Sequence, residues 1–87
     1  MNTHPLARLM FGVTIFYGVD GIRHVKQVFH SEDGVSVGEL KAALAEDEGI
    51  RDCDIYGARK GGGWKDYPYG NGHVLKHCEY LKCIVFQ

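Results

Sequence analysis

Asp20-Gly21 stands between two stretches of alternating apolar character, and this pair constrains the fold more than any other feature of the chain. Residues 9 to 19, LMFGVTIFYGV, are rich in β-branched and aromatic side chains, with Phe11, Val13, Ile15, Tyr17 and Val19 at every second position. That period is the signature of a strand. After the glycine comes IRHVKQVFH, in which Val25 and Phe29 share a face with Arg23 and Gln27. An Asp-Gly pair between such runs predicts a β-hairpin, because glycine enters positive φ without a steric penalty. Two registers compete. A two-residue turn sets Val25 opposite Phe16 and leaves Val25 and Phe29 on the face away from Ile15 and Tyr17. A three-residue loop, Val19-Asp20-Gly21 with Gly21 as the bulge residue, sets Val25 opposite Ile15 and Phe29 opposite Phe11. The second builds one coherent apolar face and is the predicted register.

A helix follows. Ser36 and Glu39 fit a capping box, and Val37, Leu40 and Leu44 form an apolar stripe beside Ala43, with Gly49 as the stop. Glu46, Asp47 and Glu48 crowd the helix C-terminus, where the macrodipole disfavours negative charge. IRDCDIYGAR reads as a third strand with Cys53 and Ile55 on one side, and Tyr80 to Phe86 as a last one. Residues 73 to 79 fit either a strand or a short helical turn. The expected class is α+β: a small antiparallel or mixed sheet of about four strands with one helix packed on one face. In element order, β-β-α-β-β, this resembles a β-grasp.

The chain of 87 residues is expected to form a single domain, 1–87, with a core that needs no staples. Its 45% hydrophobic and 24% charged residues are ordinary globular values. No apolar run approaches the roughly 20 residues of a membrane helix, and MNTHPLARLMFG lacks the apolar core and cleavage site of a signal peptide. Cys53, Cys78 and Cys83 make an odd count, which favours reduced thiols and a cytoplasmic setting. Charge is uneven: residues 32 to 54 hold eight acids against Lys41 and Arg51, a sum of −6, whereas the whole chain sums to −1. An acidic face of this kind suits a partner with a basic patch.

Chemistry concentrates in GARKGGGWKDYPYGNG, residues 57 to 72, with six glycines, Trp64, Tyr67 and Tyr69, and the basic residues Arg59, Lys60 and Lys65. It is not a phosphate cradle. Gly57 and Gly62 have P-loop spacing, but Gly63-Trp64 replaces the lysine and hydroxyl that hold phosphate and magnesium. Leu75 stands where a dinucleotide fingerprint starting at Gly70 requires a small residue. His73, His77, Cys78 and Cys83 are candidate zinc ligands, and His73 and His77 would share a face if that stretch were helical. Against a zinc site, no Cys-x-x-Cys knuckle is present, and Cys78 and Cys83 also suit core positions. No metal or other cofactor is therefore assigned. No nucleophile, base and orienting group can be identified together, so the chain is not expected to be an enzyme.

Two binding readings stand ahead of a small zinc-binding protein, which is the third alternative. In the first, Arg59, Lys60, Trp64, Lys65, Tyr67 and Tyr69 anchor the chain to a partner protein, and Glu46, Asp47, Glu48 and Asp52 meet basic residues there. Trp, Tyr and Arg are the usual interface anchors. In the second, the same loop binds single-stranded nucleic acid, with its rings stacking on bases and its cations on phosphates. The near-neutral charge favours the protein partner. In size and absence of motifs the chain resembles the small inhibitors of phages and mobile elements, such as anti-CRISPR and anti-restriction proteins. That resemblance implies a non-catalytic module occluding a partner surface, one that normally binds nucleic acid.

Overall fold

The computed structural model describes residues 11–86, so Leu9 and Met10 of the expected first strand lie outside the described residues. Strands β1 (Phe11–Val19) and β2 (Ile22–His30) form an antiparallel hairpin. The predicted register is corrected: Val19 pairs with Ile22, and Val25 faces Phe16 rather than Ile15. Asp20 at φ 54° and Gly21 at φ 77° make a two-residue turn with both central residues left-handed. Such a turn twists with the strands it joins, which the longer loop does less well. This register puts polar Lys26 and His24 on the inner side, and both find partners there. Lys26 Nζ lies 3.0 Å from Glu48 Oε2 and 3.8 Å from Asp47 Oδ2, and His24 stacks on Tyr17 at 5.1 Å.

After the short strand β3 (Val35–Ser36), helix α1 spans Val37–Glu48. Its start is the expected capping box: the Glu39 amide donates to Ser36 Oγ, and the Ser36 amide donates to Glu39 Oε1. Two further amides at the helix start donate to loop carbonyls, Val37 to His73 and Gly38 to Asn71, both at 2.9 Å. Val37, Leu40 and Leu44 are fully buried, each contributing about 1.5–3 kcal/mol of burial. The helix ends at Gly49. Its acidic last turn, unfavourable to the macrodipole, is fixed to the hairpin instead: Tyr17 donates to Glu48 Oε1 at 3.0 Å, and Lys26 meets Asp47 and Glu48.

These contacts set a pH dependence. Hydrogen bonds from Lys26 and then Tyr17 hold the Glu48 carboxyl below the usual glutamate value. A depressed carboxyl stabilises the fold above its unfolded pKa, and that contribution is lost as pH falls through the folded value. Glu48→Gln is therefore expected to flatten the acid limb of stability measured by denaturant titration from neutral pH downward. An unchanged limb would exclude the contact as a source of acid sensitivity.

Strand β4 (Cys53–Gly57) is shorter than the predicted IRDCDIYGAR, and β6 (Tyr80–Val85) matches the expected last strand to within a residue. Between them, residues 73 to 79 hold the two-residue strand β5 (Val74–Leu75), which pairs antiparallel with β3, and then a turn. No helix forms there. The four long strands lie in the order β2-β1-β6-β4, with β1 and β6 parallel at the centre and the outer pairs antiparallel. The described chain is α+β, a mixed four-stranded sheet and a two-stranded one with a single helix, in a β-grasp-like arrangement. The core lies between helix and sheet, where Leu40 and Leu44 meet Val13, Ile15, Ile55 and Leu81.

Candidate interaction face

Side chains alternate across a strand, so every residue turned away from the helix lies on one outer face. Register places Thr14, Phe16 and Gly18 of β1 on it, beside Arg23, Val25, Gln27 and Phe29 of β2 and Tyr80, Lys82 and Ile84 of β6. Polar residues are the usual occupants of such a face. Here Val25 is 64% exposed, Phe29 58% and Tyr80 55%. Among the described residues no second layer covers them. Phe16 lies at the centre, stacked on Tyr80 at 6.1 Å and tilted against Trp64 at 6.2 Å.

Trp64 reaches this face because the loop from 57 to 72 is laid along the free edge of β4. The Lys65 amide donates to the Gly57 carbonyl and the Tyr69 amide to the Ile55 carbonyl, each at 2.8 Å, and Ala58 bridges to Trp64. Tyr69 fixes the far end. Its phenol fills the space where a Gly57 side chain would project, and its ring stacks on His73 at 3.8 Å. The carbonyls of Asn71 and His73 then serve the helix start, as described above. The six glycines thus occur in a loop tied to both layers of the fold.

Between Trp64 and the hairpin runs a depression of about 660 Å³, walled or floored by Phe16, Arg23, Val25, Trp64, Lys82 and Ile84. Tyr17, His24 and Cys83 also border it, and among the described residues no acidic side chain does. Lys82 Nζ sits 5.0 Å above the Tyr56 ring, which holds one cation on the outer face. The volume suits one or two large side chains of a partner.

The predicted site residues separate into two groups. Trp64 is half-buried on the outer face, and Tyr67 is 82% exposed nearby in sequence. Tyr69, expected to face a partner, packs against the core and anchors the loop. Arg59 pairs with Asp66 at 3.6 Å and Lys65 lies 5.4 Å over Tyr69, which leaves Lys60 exposed without such a contact among the described residues. Asp47 and Glu48 meet Lys26 on the helix side of the sheet, so they and Trp64 belong to opposite layers. Glu46 and Asp52 are exposed. The loop and the acidic stretch therefore do not build one surface.

The zinc candidates do not converge. His73 stacks on Tyr69, His77 Nδ1 accepts from the Gly12 amide at 3.1 Å, Cys78 is exposed and Cys83 is buried. Among the described residues no group of three or more His, Cys, Asp or Glu side chains could hold a metal ion. Burial, then the neighbouring Cys53, pushes the Cys83 thiol up to about 12, opposite to the direction that activates a thiolate. A thiol reagent is accordingly expected to label Cys78 quickly in the native protein and Cys53 and Cys83 only on unfolding. Equal rates for all three would contradict this packing.

Of the residues lining the depression, the sequence singled out Trp64 and not Phe16, Arg23, Val25, Lys82 or Ile84. The signal was present in the rejected register, which put Val25 opposite Phe16 and so exposed a second apolar face. Among the described residues no helix is long and apolar enough to cross a membrane. No protein-family model, curated protein or solved structure matches the chain.

Proposed function

We propose that the chain is a non-catalytic protein-binding module whose helix-free sheet face covers part of a partner's surface. One observation carries this reading: the depression bordered by Phe16 and Trp64 on a face where solvent-facing polar residues are the norm. Apolar side chains left exposed in a contiguous group mark interaction sites. Arg23 and Lys82 border the depression without an acid among its lining. The fitting partner segment carries a large apolar anchor flanked by carboxylates, since like charges are excluded and opposite ones steered. Trp64, Phe16 and Arg23 are of the types that dominate interface energetics.

Selecting binders from a random displayed peptide library tests this. Peptides pairing an aromatic or large aliphatic residue with Asp or Glu are the expected product, and their binding should perturb the fluorescence of Trp64, the chain's single tryptophan. A library yielding only basic peptides would contradict the charge argument.

A second reading rests on the same rings. Trp64 and Tyr80, each against Phe16 on the sheet, with Arg23 and Lys82 on the same face, also offer a platform for unpaired bases. Oligothymidine would then bind with an affinity that falls steeply with salt. No binding at low salt removes this reading.

A further inference from the structure

The sheet has two edges, and they are treated differently. At β4 the loop from 57 to 72 hydrogen-bonds to the Ile55 and Gly57 carbonyls and so covers the edge. At β2 nothing comparable occurs among the described residues. Its nine residues form an edge without proline, glycine or bulge. The Val19–Ile22 pair closes a two-residue turn and is hydrogen-bonded, so the pairs alternate from there. The backbone groups of Arg23, Val25, Gln27 and Phe29 consequently point off the edge. None of the hydrogen bonds among the described residues outside the strand ladder reaches them. Apart from Tyr67, the most exposed large apolar side chains among the described residues are Val25, Ile22 and Phe29, all on this strand. A long, regular apolar edge is a template for another strand.

We propose that the occupant is a second copy of this chain, with β2 pairing antiparallel to the partner copy's β2 about a two-fold axis through Gln27. The side chains select this register. With Gln27 opposite itself, Val25 meets Phe29 of the other copy twice on the outer face, and Lys26 meets Val28 on the inner face. A shift that centres Lys26 sets two ammonium groups face to face, and one that centres Val25 leaves Phe29 without an apolar partner. Cross-strand apolar pairs stabilise and like-charge pairs destabilise. Because the β4 edge is covered, the pairing closes at two copies instead of extending into a filament. The product is a continuous eight-stranded sheet, twice the four long strands of one copy. Both helices lie on one side of it and both depressions on the other. This inference does not rest on the proposed ligand. Edge pairing sets Phe29 of the other copy beside Val25 at one border of the depression, and the residues on β1, β6 and the loop lie outside the seam.

Sedimentation equilibrium of the full chain from about 10 μM to 1 mM, a range suited to a small interface, tests it. A reversible monomer–dimer equilibrium is expected. Gln27→Pro removes an amide that points off the edge and no bond within the hairpin. It should weaken dimerisation roughly thirtyfold, through one hydrogen bond lost in each copy and the ring's bulk at the axis. Gln27→Lys and Gln27→Glu change an exposed side chain and leave the fold intact by circular dichroism. Each alone should weaken the dimer, and mixing the two should restore it, because only this register sets position 27 against itself. A chain that stays monomeric at 1 mM overturns the proposal. So does a dimer indifferent to the charge variants and their mixture, or association that continues beyond two copies.

Discussion

A Phe16→Ala variant is expected to keep its fold and lose about thirtyfold in affinity for the peptides selected against the native protein. This ring lines the depression, and truncating a central interface aromatic typically costs about 2 kcal/mol or more. The fold should survive because Phe16 projects from a face that no helix covers among the described residues, and it is 36% exposed. The core residues on either side, Ile15 and Tyr17, point the other way. Two comparisons sharpen the result. Thr14→Ala lies on the same face of the same strand, outside the lining of the depression, and should bind as the native chain does. Lys82→Glu should weaken acidic peptides while sparing the fold, since it reverses a charge at the rim. Affinity that ignores all three substitutions would place the contact elsewhere.

Gly34→Ala is expected to be strongly destabilising for a change of a single methyl group. Gly34 has φ of 97°, a conformation that L side chains rarely adopt. An added Cβ would stand 2.5 Å from the Leu75 carbonyl oxygen and 2.8 Å from Val74 Cγ1, both in β5. Backbone strain and steric displacement together cost about 3 kcal/mol, or roughly 15 °C in Tm for a domain this small. The consequence extends to the site. β3 and β5 clamp the end of the 57–72 loop to the helix start, so loosening them frees the chain that holds Trp64 over the sheet. A thermal melt of the variant checks the stability, and the emission maximum of Trp64 checks the loop. A melting temperature within a few degrees of native would contradict the close packing at Gly34.

What could be read in the sequence was short-range. Ser36 with Glu39, the Val37, Leu40 and Leu44 stripe, and the Gly49 stop are all settled within a helical turn or two, and each stands as expected. Alternation identified the strands, because a side chain's face depends only on parity. The hairpin register failed for an instructive reason. It assumed that Val25 and Phe29 must join the core, whereas an edge strand can carry them on the outer face while Lys26 and His24 find partners on the inner one. The loop was misjudged in part because its anchors are distant in sequence. Nothing near Tyr69 announces that its phenol fills the space above Gly57, or that its amide serves Ile55. Trp64 and Tyr67 could be singled out as candidate contact residues from their type, and both keep exposed surface. Phe16 could not, since an aromatic in an alternating strand is ordinarily taken for core.

The most direct test is a two-dimensional amide NMR titration with one selected acidic–aromatic peptide. Shifts confined to Phe16, Gly18, Arg23, Val25, Lys82, Ile84 and the Trp64 indole, with residues 37 to 48 of the helix unmoved, are the predicted result. Shifts centred on the helix, with the Trp64 indole unmoved, would contradict the assignment of binding to the bare side of the sheet.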